Sequence, residues 1–423
     1  MENVYEATQD RLKFIFDEFD HIYVSFSGGK DSGVMLNLVI KYMKENNIKR
    51  KITLMHLDYE AQYDMTTYYV KKVEEEFKEY INIYHICVPF KVHTCTSMFQ
   101  NYWRPWEEDK KSLWVRDMPD NALTKDDFDF FNDNMYDYEF QEKLSTWIHE
   151  KEGAKKTAIL VGIRTQESLH RWRALHKERK TYYKDKKYTK FISKNVYNAY
   201  PIFDWKTEDV WTANAKFMFN YNKLYDLFYF AGVPLDSMRV ASPFLSEGQE
   251  SLKLYQVIEP NTWGKLVSRV NGVNFTGLYG GTTAMGWKKI TKPNNLSWKQ
   301  YMEFLLSTLP SNTRDNYLKK LEVSIKFWKE KGGALSDELI KELDDLNIKY
   351  EIGINNYRTD KKSVKLEYLD DIDISDFKSI PTYKRMCICI MKNDHLCKYM
   401  GFSQNKYEME KRKKAVKKWS KLI

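Results

Sequence analysis

Apolar residues in the first 230 positions fall into two alternating patterns. Short continuous runs rich in β-branched residues read as buried parallel strands: IYVSF (22–26), KITLMHL (51–57), INIYHICV (81–88) and TAILVGI (157–163). Between them, SGVMLNLVIKYMKENN and MTTYYVKKVEEEFKEY carry their apolar positions at helical spacing. Strand–helix–strand units of this length predict an α/β fold with an open, mostly parallel sheet and right-handed crossovers. From about residue 296 the pattern turns helical, through LSWKQYMEFLLSTLP, SNTRDNYLKKLEVSIKFWKE and SDELIKELDDLN. KKSVKLEYLDDIDISDFKSIP reads as a polar connector, and a cysteine-bearing segment and a basic helix follow it.

Three regions are therefore expected: an α/β domain over 1–230, an irregular extension over 231–290, and a mainly helical domain over 291–423. Inside the first, 95–150 breaks the rhythm with tryptophans at 103, 106 and 114 and the acidic DDFDFFNDNMYDYEF. An insertion or lid over the carboxyl edge of the sheet is expected there.

Composition narrows the classes. With 30% charged and 43% hydrophobic residues in 423, the chain suits a globular protein with an ordinary core. No run of about 18 apolar residues occurs, so no membrane span is expected. Five cysteines, an odd and small number, argue against a disulfide framework and for a reducing cytoplasm. The net charge of +9 favours anionic partners. It is densest in KYEMEKRKKAVKKWSKLI, which reads as a solvated basic helix or as one that contacts nucleic-acid phosphates.

The candidate chemistry starts at SFSGGKDSG, between the first strand and the first buried helix. It is not a Walker loop, whose glycines and lysine are spaced further apart. Gly28 and Gly29 allow a tight turn into a helix beginning near Lys30 or Asp31. Main-chain N–H groups at such a helix start attract phosphate, with hydroxyls from Ser27 and Ser32 and the Lys30 cation adding to them. A serine-capped glycine turn is the plainer alternative. In VGIRTQESLHRWRAL (161–175), Gly162 permits close backbone approach, and Arg164 and Arg171 offer planar forks for phosphate or sulfate oxygens. Surface ion pairing is the alternative for either arginine. Asp58, in MHLDYEAQYDMTTYY, suits a ribose hydroxyl or a magnesium ion, or else is a solvated loop carboxylate. Cys387, Cys389, His395 and Cys397, in RMCICIMKNDHLCKYMGF, leave four readings open: a zinc site, an iron–sulfur cluster on the cysteines, a reactive thiol, or buried core residues.

Together with YPIFDWKTEDVW (200–211), these stretches resemble the phosphoadenylyl-sulfate (PAPS) reductase-like family of the adenine nucleotide α-hydrolase-like superfamily, the PP-loop ATP-pyrophosphatases. Over nearly its full length the chain is similar to the immunoglobulin-binding-regulator-type branch of that family. The resemblance implies a Rossmann-type sheet and an enzyme binding ATP or a PAPS-like adenine nucleotide, with Mg2+, on Ser27, Gly28, Gly29, Ser32, Asp58 and Gly162. Lys30, Asp31, Arg164 and Arg171 would serve adenylation, pyrophosphatase or sulfur-transfer chemistry. The Pro and Trp residues of 200–211 would shape the pocket wall and cap the next helix. Branch members are encoded beside a ParB-like protein in phages and mobile elements, so a nucleotide-sensing module acting with a ParB-like partner or DNA is the alternative. The family's glutamate–cysteine–glycine motif and paired adjacent cysteines are absent here. NKLYDLFYFAGVPLDSMRVASPF also lacks cysteine, so reduction of PAPS would need relocated cysteines.

Overall fold

The computed structural model describes residues 3–97, 99–167, 182–245, 252–279, 290, 292–293, 295–354, 361–376 and 379–402. The chain forms two compact units, Met1–His93 with Tyr102–Val270, and Thr94–Asn101 with Asn271–Ile423.

The first unit runs α1 (Val4–Glu18), β1 (His21–Ser25), α2 (Lys30–Glu45), β2 (Ile52–Leu57), α3 (Asp64–Phe77), β3 (Ile81–Ile86), β4 (Val92–His93) and β5 (Tyr102–Trp103). It continues through β6 (Ala122–Leu123), α4 (Asp137–Lys151), β7 (Thr157–Val161), β8 (Thr189–Ser193), β9 (Val196–Ala199), α5 (Thr207–Lys216), α6 (Leu224–Phe230), α7 (Leu254–Ile258) and α8 (Pro260–Arg269). Seven strands form one sheet in the order β6-β3-β2-β1-β7-β9-β8. Every pairing is parallel except that of β8 with β9. The α/β, mostly parallel expectation is met.

The strands form where the apolar runs lie, and α2 is apolar on nearly every side. Val34, Met35, Leu36, Leu38, Val39 and Ile40 are all buried, which puts this helix inside the core. Helix α1 was not legible from the strand-and-helix rhythm. Its start is fixed by a capping box between Asn3 and Glu6, and Leu12 and Ile15 bury its inner face. The chain leaves β1 for β2 on one side, and β7 lies on the other. The carboxyl ends of β1 and β7 therefore flank the point where strand order reverses, the usual crevice for ligands in open α/β sheets.

Two expectations need correction. The stretch 95–150 is not a lid throughout: β6 extends the sheet beside β3, and α4 buries Phe140, Leu144 and Ile148 as scaffold. Its tryptophans and acidic run obscured the apolar period. The extension at 231–290 divides at residue 270, because Arg269 is buried against Glu60 and keeps α8 with the sheet.

The second unit holds α9 (Val273–Tyr279), α10 (Trp298–Ser307), α11 (Ser311–Glu330), β10 (Gly333–Leu335), α12 (Asp337–Asp345), β11 (Tyr350–Ile352), β12 (Lys362–Leu366) and α13 (Tyr383–Met391). Its antiparallel sheet has the order β10-β12-β11. Part of the expected polar connector is thus a strand, in which Val364 and Leu366 point into an apolar cluster. The basic terminal helix lies outside the described residues, as does Arg171. Among the described residues no helix is long and apolar enough to cross a membrane.

Candidate functional site

Strand β1 ends at Ser25, and the Phe26 N–H continues its ladder onto the Met55 carbonyl at 2.8 Å. The turn that follows needs Gly28, whose φ is +72°. A Cβ there would also lie 2.9 Å from Thr66 Cγ2. Asn222, buried, locks the turn by donating from Nδ2 to the Gly28 carbonyl at 3.1 Å and to Thr66 Oγ1 at 2.9 Å. Gly29 is the N-cap of α2, so Lys30, Asp31 and Ser32 form the first turn of that helix. Gly162 also allows a close approach of backbone to backbone. A Cβ there would sit 3.0 Å from the Asp31 carbonyl carbon and the Ser32 nitrogen, so its role is to let β7 reach the helix start.

These residues line a cleft of about 360 Å³. Ser27, Gly29, Lys30, Asp31 and Ser32 border it from the loop, Gly162 and Glu167 from beyond β7, and Tyr225, Met238 and Arg239 from the later chain. Lys30 is buried, and Nζ donates to the Met238 carbonyl at 3.0 Å and lies 3.4 Å from Asp31 Oδ2. Burial lowers its pKa from the usual lysine value, while Asp31 opposes the shift.

Several loop amides already have partners. The Lys30 N–H donates to the Tyr225 hydroxyl at 3.0 Å, the Ser27 N–H to Ser32 Oγ at 3.3 Å, and the Gly29 N–H to Ser27 Oγ at 3.4 Å. Each of these acceptors is a hydroxyl, which can rotate or withdraw when a stronger anionic acceptor arrives. Arg164 is not a spare fork for phosphate. It is 1% exposed and donates from Nε to Asp31 at 2.7 Å, from one terminal nitrogen to Gln166 and Thr207, and from the other to Glu167, the last three at 3.3 Å. It positions Asp31.

Asp58 does not line this cleft. It is buried, ion-paired with Arg116, and accepts the Glu60 N–H at 2.9 Å. It stands with His56 and His85, whose ligand atoms and its own lie within 4.8 Å of one another. Burial pushes His56 down to about 4. Trp205 is not a pocket wall either, for its indole N–H reaches Val4 and Thr8 of α1. Trp211 packs edge-on to Tyr225 and so backs the cleft indirectly.

The cysteine segment does not assemble as a ligand set. Cys387 and Cys389 lie two apart on α13, and positions so spaced face different ways. Cys387 Sγ points to the Trp298 carbonyl at 3.6 Å, and the His395 ring is bonded to the Ser97 carbonyl at 2.9 Å. Cys387, Cys389 and Cys397 are fully buried in an apolar cluster. Burial pushes the Cys387 thiol up to about 12 and the Cys389 thiol well above its ordinary value. Zinc and iron–sulfur readings fail on this geometry, and so does a reactive thiol, because low pKa and access are what reactivity requires.

Tyr225, Asn222 and Arg239 were not picked out from sequence. They fall in NKLYDLFYFAGVPLDSMRVASPF, where a tyrosine and an arginine among apolar residues are the available signal.

A phosphoadenosine phosphosulfate reductase domain matches residues 21–231, and a domain of unknown function, DUF3440, matches 232–411. Uncharacterized protein YbdN of Escherichia coli (strain K12) is 32% identical over 410 residues, covering 96% of this chain and 91% of its own. PAPS reductase from Candida auris, in a phosphate complex, is 17% identical over 52% of this chain and 84% of its own, with a TM-score of 0.31. U34-tRNA thiolase NcsA from Methanococcus maripaludis, with a 4Fe–4S cluster, is 15% identical over 69% of this chain and 85% of its own, with a TM-score of 0.32. The chain carries a phosphoadenosine phosphosulfate reductase domain over residues 21–231 and belongs to the same family as YbdN.

Proposed function

We propose that the protein binds ATP or a related adenine nucleotide, with the phosphates on residues 27–32, and uses it for chemistry at the α-phosphate. The observation that carries this reading is the cleft at the sheet's reversal point, where an α2 N-terminus, Lys30 and Arg239 converge. An acceptor attacks the α-phosphorus. The new bond forms as the bridging phosphorus–oxygen bond breaks, and pyrophosphate leaves with the electron pair. The acceptor's proton passes to solvent. Lys30 and Arg239 stabilise the charge that develops on the phosphoryl oxygens. Arg164 acts one step back, by fixing Asp31 beside Lys30.

The carboxylates bordering the cleft, Asp31 and Glu167, are both engaged by Arg164. Magnesium would therefore ride on the nucleotide's phosphates and water and not on a dedicated carboxylate. None of the five cysteines borders the cleft, which weighs against PAPS reduction by an enzyme thiol.

A nucleotide-sensing module acting with a ParB-like protein or DNA is the second reading. The hydroxyl-capped loop amides favour it, because they give a satisfied empty state. Incubating full-length protein with ATP labelled at the α-phosphate, with and without candidate acceptors, separates the two. Labelled AMP or adenylylated acceptor, with equimolar pyrophosphate, supports the enzyme. Saturable binding without pyrophosphate supports the sensor, and no nucleotide binding defeats both.

A further inference from the structure

We infer that His56, Asp58 and His85 form a binding site for a divalent transition-metal ion of the zinc class. The site stands apart from the nucleotide reading. His56 and Asp58 lie at the carboxyl end of β2 and just beyond it, and His85 is the register partner of His56 on β3. Parallel pairing therefore puts two imidazoles side by side, with ring centroids 5.5 Å apart. All three residues are buried, at 2%, 1% and 6% exposure.

The hydrogen bonds decide where the lone pairs are. His56 Nδ1 lies 2.8 Å from the Phe26 carbonyl, which can only accept, so Nδ1 carries the proton and Nε2 the lone pair. His85 Nε2 lies 3.4 Å from Glu74 Oε2, so its proton is there and Nδ1 holds the lone pair. That Nδ1 is buried and has no hydrogen-bond partner among the described residues. An unsatisfied buried acceptor is costly unless something occupies it. Imidazoles that donate one ring N–H to a carbonyl or carboxylate and keep the lone pair of the other nitrogen free have the usual outer-shell arrangement of metal-ligating histidines.

The ligand atoms lie within 4.8 Å of one another. Small side-chain rotations bring such a set to the roughly 2.0–2.2 Å that zinc bonds need. Two imidazoles and a carboxylate select zinc, ferrous iron or a similar ion over magnesium or calcium. Arg116 shares the Asp58 carboxylate. Its charge is outweighed by Asp58 and Glu74 together, and a carboxylate keeps lone pairs beyond those one guanidinium uses. Because His56 also holds the Phe26 carbonyl, a bound ion would brace the strand that delivers the nucleotide loop.

The test is titration of metal-free, full-length protein with Zn2+ by equilibrium dialysis, and with Co2+ by absorption. We expect one equivalent bound, visible Co2+ bands without thiolate charge transfer, and a melting temperature that rises with metal concentration. His85→Asn should lose binding, and Glu74→Ala, at a half-buried outer position, should weaken it by roughly tenfold or more. The Cys387→Ser, Cys389→Ser and Cys397→Ser variants should bind as wild type does. Absence of saturable binding by the wild-type protein, a thiolate charge-transfer band, or unchanged binding in both His85→Asn and Glu74→Ala would overturn the assignment. The wild-type measurements decide the matter even if His85→Asn fails to fold.

Discussion

The loop at residues 27–32 and the segment at 387–397 both offer candidate chemistry in sequence, one by glycine, lysine and serine, the other by three cysteines and a histidine. In the folded protein they diverge. The loop stands at the carboxyl edge of a parallel sheet, and its polar groups border a cleft. Cys387 and Cys389 sit two apart on α13, Cys397 lies beyond it, and all three are buried within an apolar cluster. Residue type suggested chemistry in both places; backbone placement opens only one of them onto a cleft.

The largest expected effect sharpens that contrast. Lys30→Ala removes the cation nearest the loop, and α-phosphate turnover should fall by about a hundredfold or more, measured as pyrophosphate release. Cys389→Ser should leave the same rate unchanged, and equal losses in both variants would erase the distinction. Next in size, Gly28→Val demands a positive φ and a Cβ 2.9 Å from Thr66 Cγ2. Nucleotide affinity should collapse, and stability should fall by about 1–3 kcal/mol in urea titration.

Much of this frame is legible in the sequence. The four strand runs and helix α2 declared themselves because burial on both faces leaves unbroken apolar stretches. The strand-to-helix glycine turn was legible for the same local reason. Contacts made across long sequence gaps were hidden. Nothing near Lys30 announces that Tyr225 caps its amide, or that Arg164 is spent on Asp31. His56 and His85 lie 29 positions apart (85 − 56) and meet only through strand register. The carboxylate of Asp58 is plain in the sequence, yet its partner Arg116 comes from the irregular stretch expected to be an insertion or lid.

Smaller effects probe each side further. Cys387→Ser puts a hydroxyl in an apolar cluster, and denaturant titration should show a loss of about 1–3 kcal/mol. No loss would mean that the cluster is wetter than its burial implies. Smallest is Tyr225→Phe, which frees the Lys30 amide without removing the ring. If phosphate takes that amide, binding should tighten by up to about fivefold, the worth of roughly 1 kcal/mol. Weaker binding would mean that the hydroxyl itself serves the nucleotide.

The central claim is that an adenine nucleotide displaces the hydroxyls now resting on the loop amides. A crystal structure of the full chain with a non-hydrolysable ATP analogue tests it most directly. The account predicts phosphate oxygens within hydrogen-bond distance of the amides of residues 28–32, with the bond from the Lys30 amide to Tyr225 broken. A nucleotide bound elsewhere, with that bond intact, would contradict it.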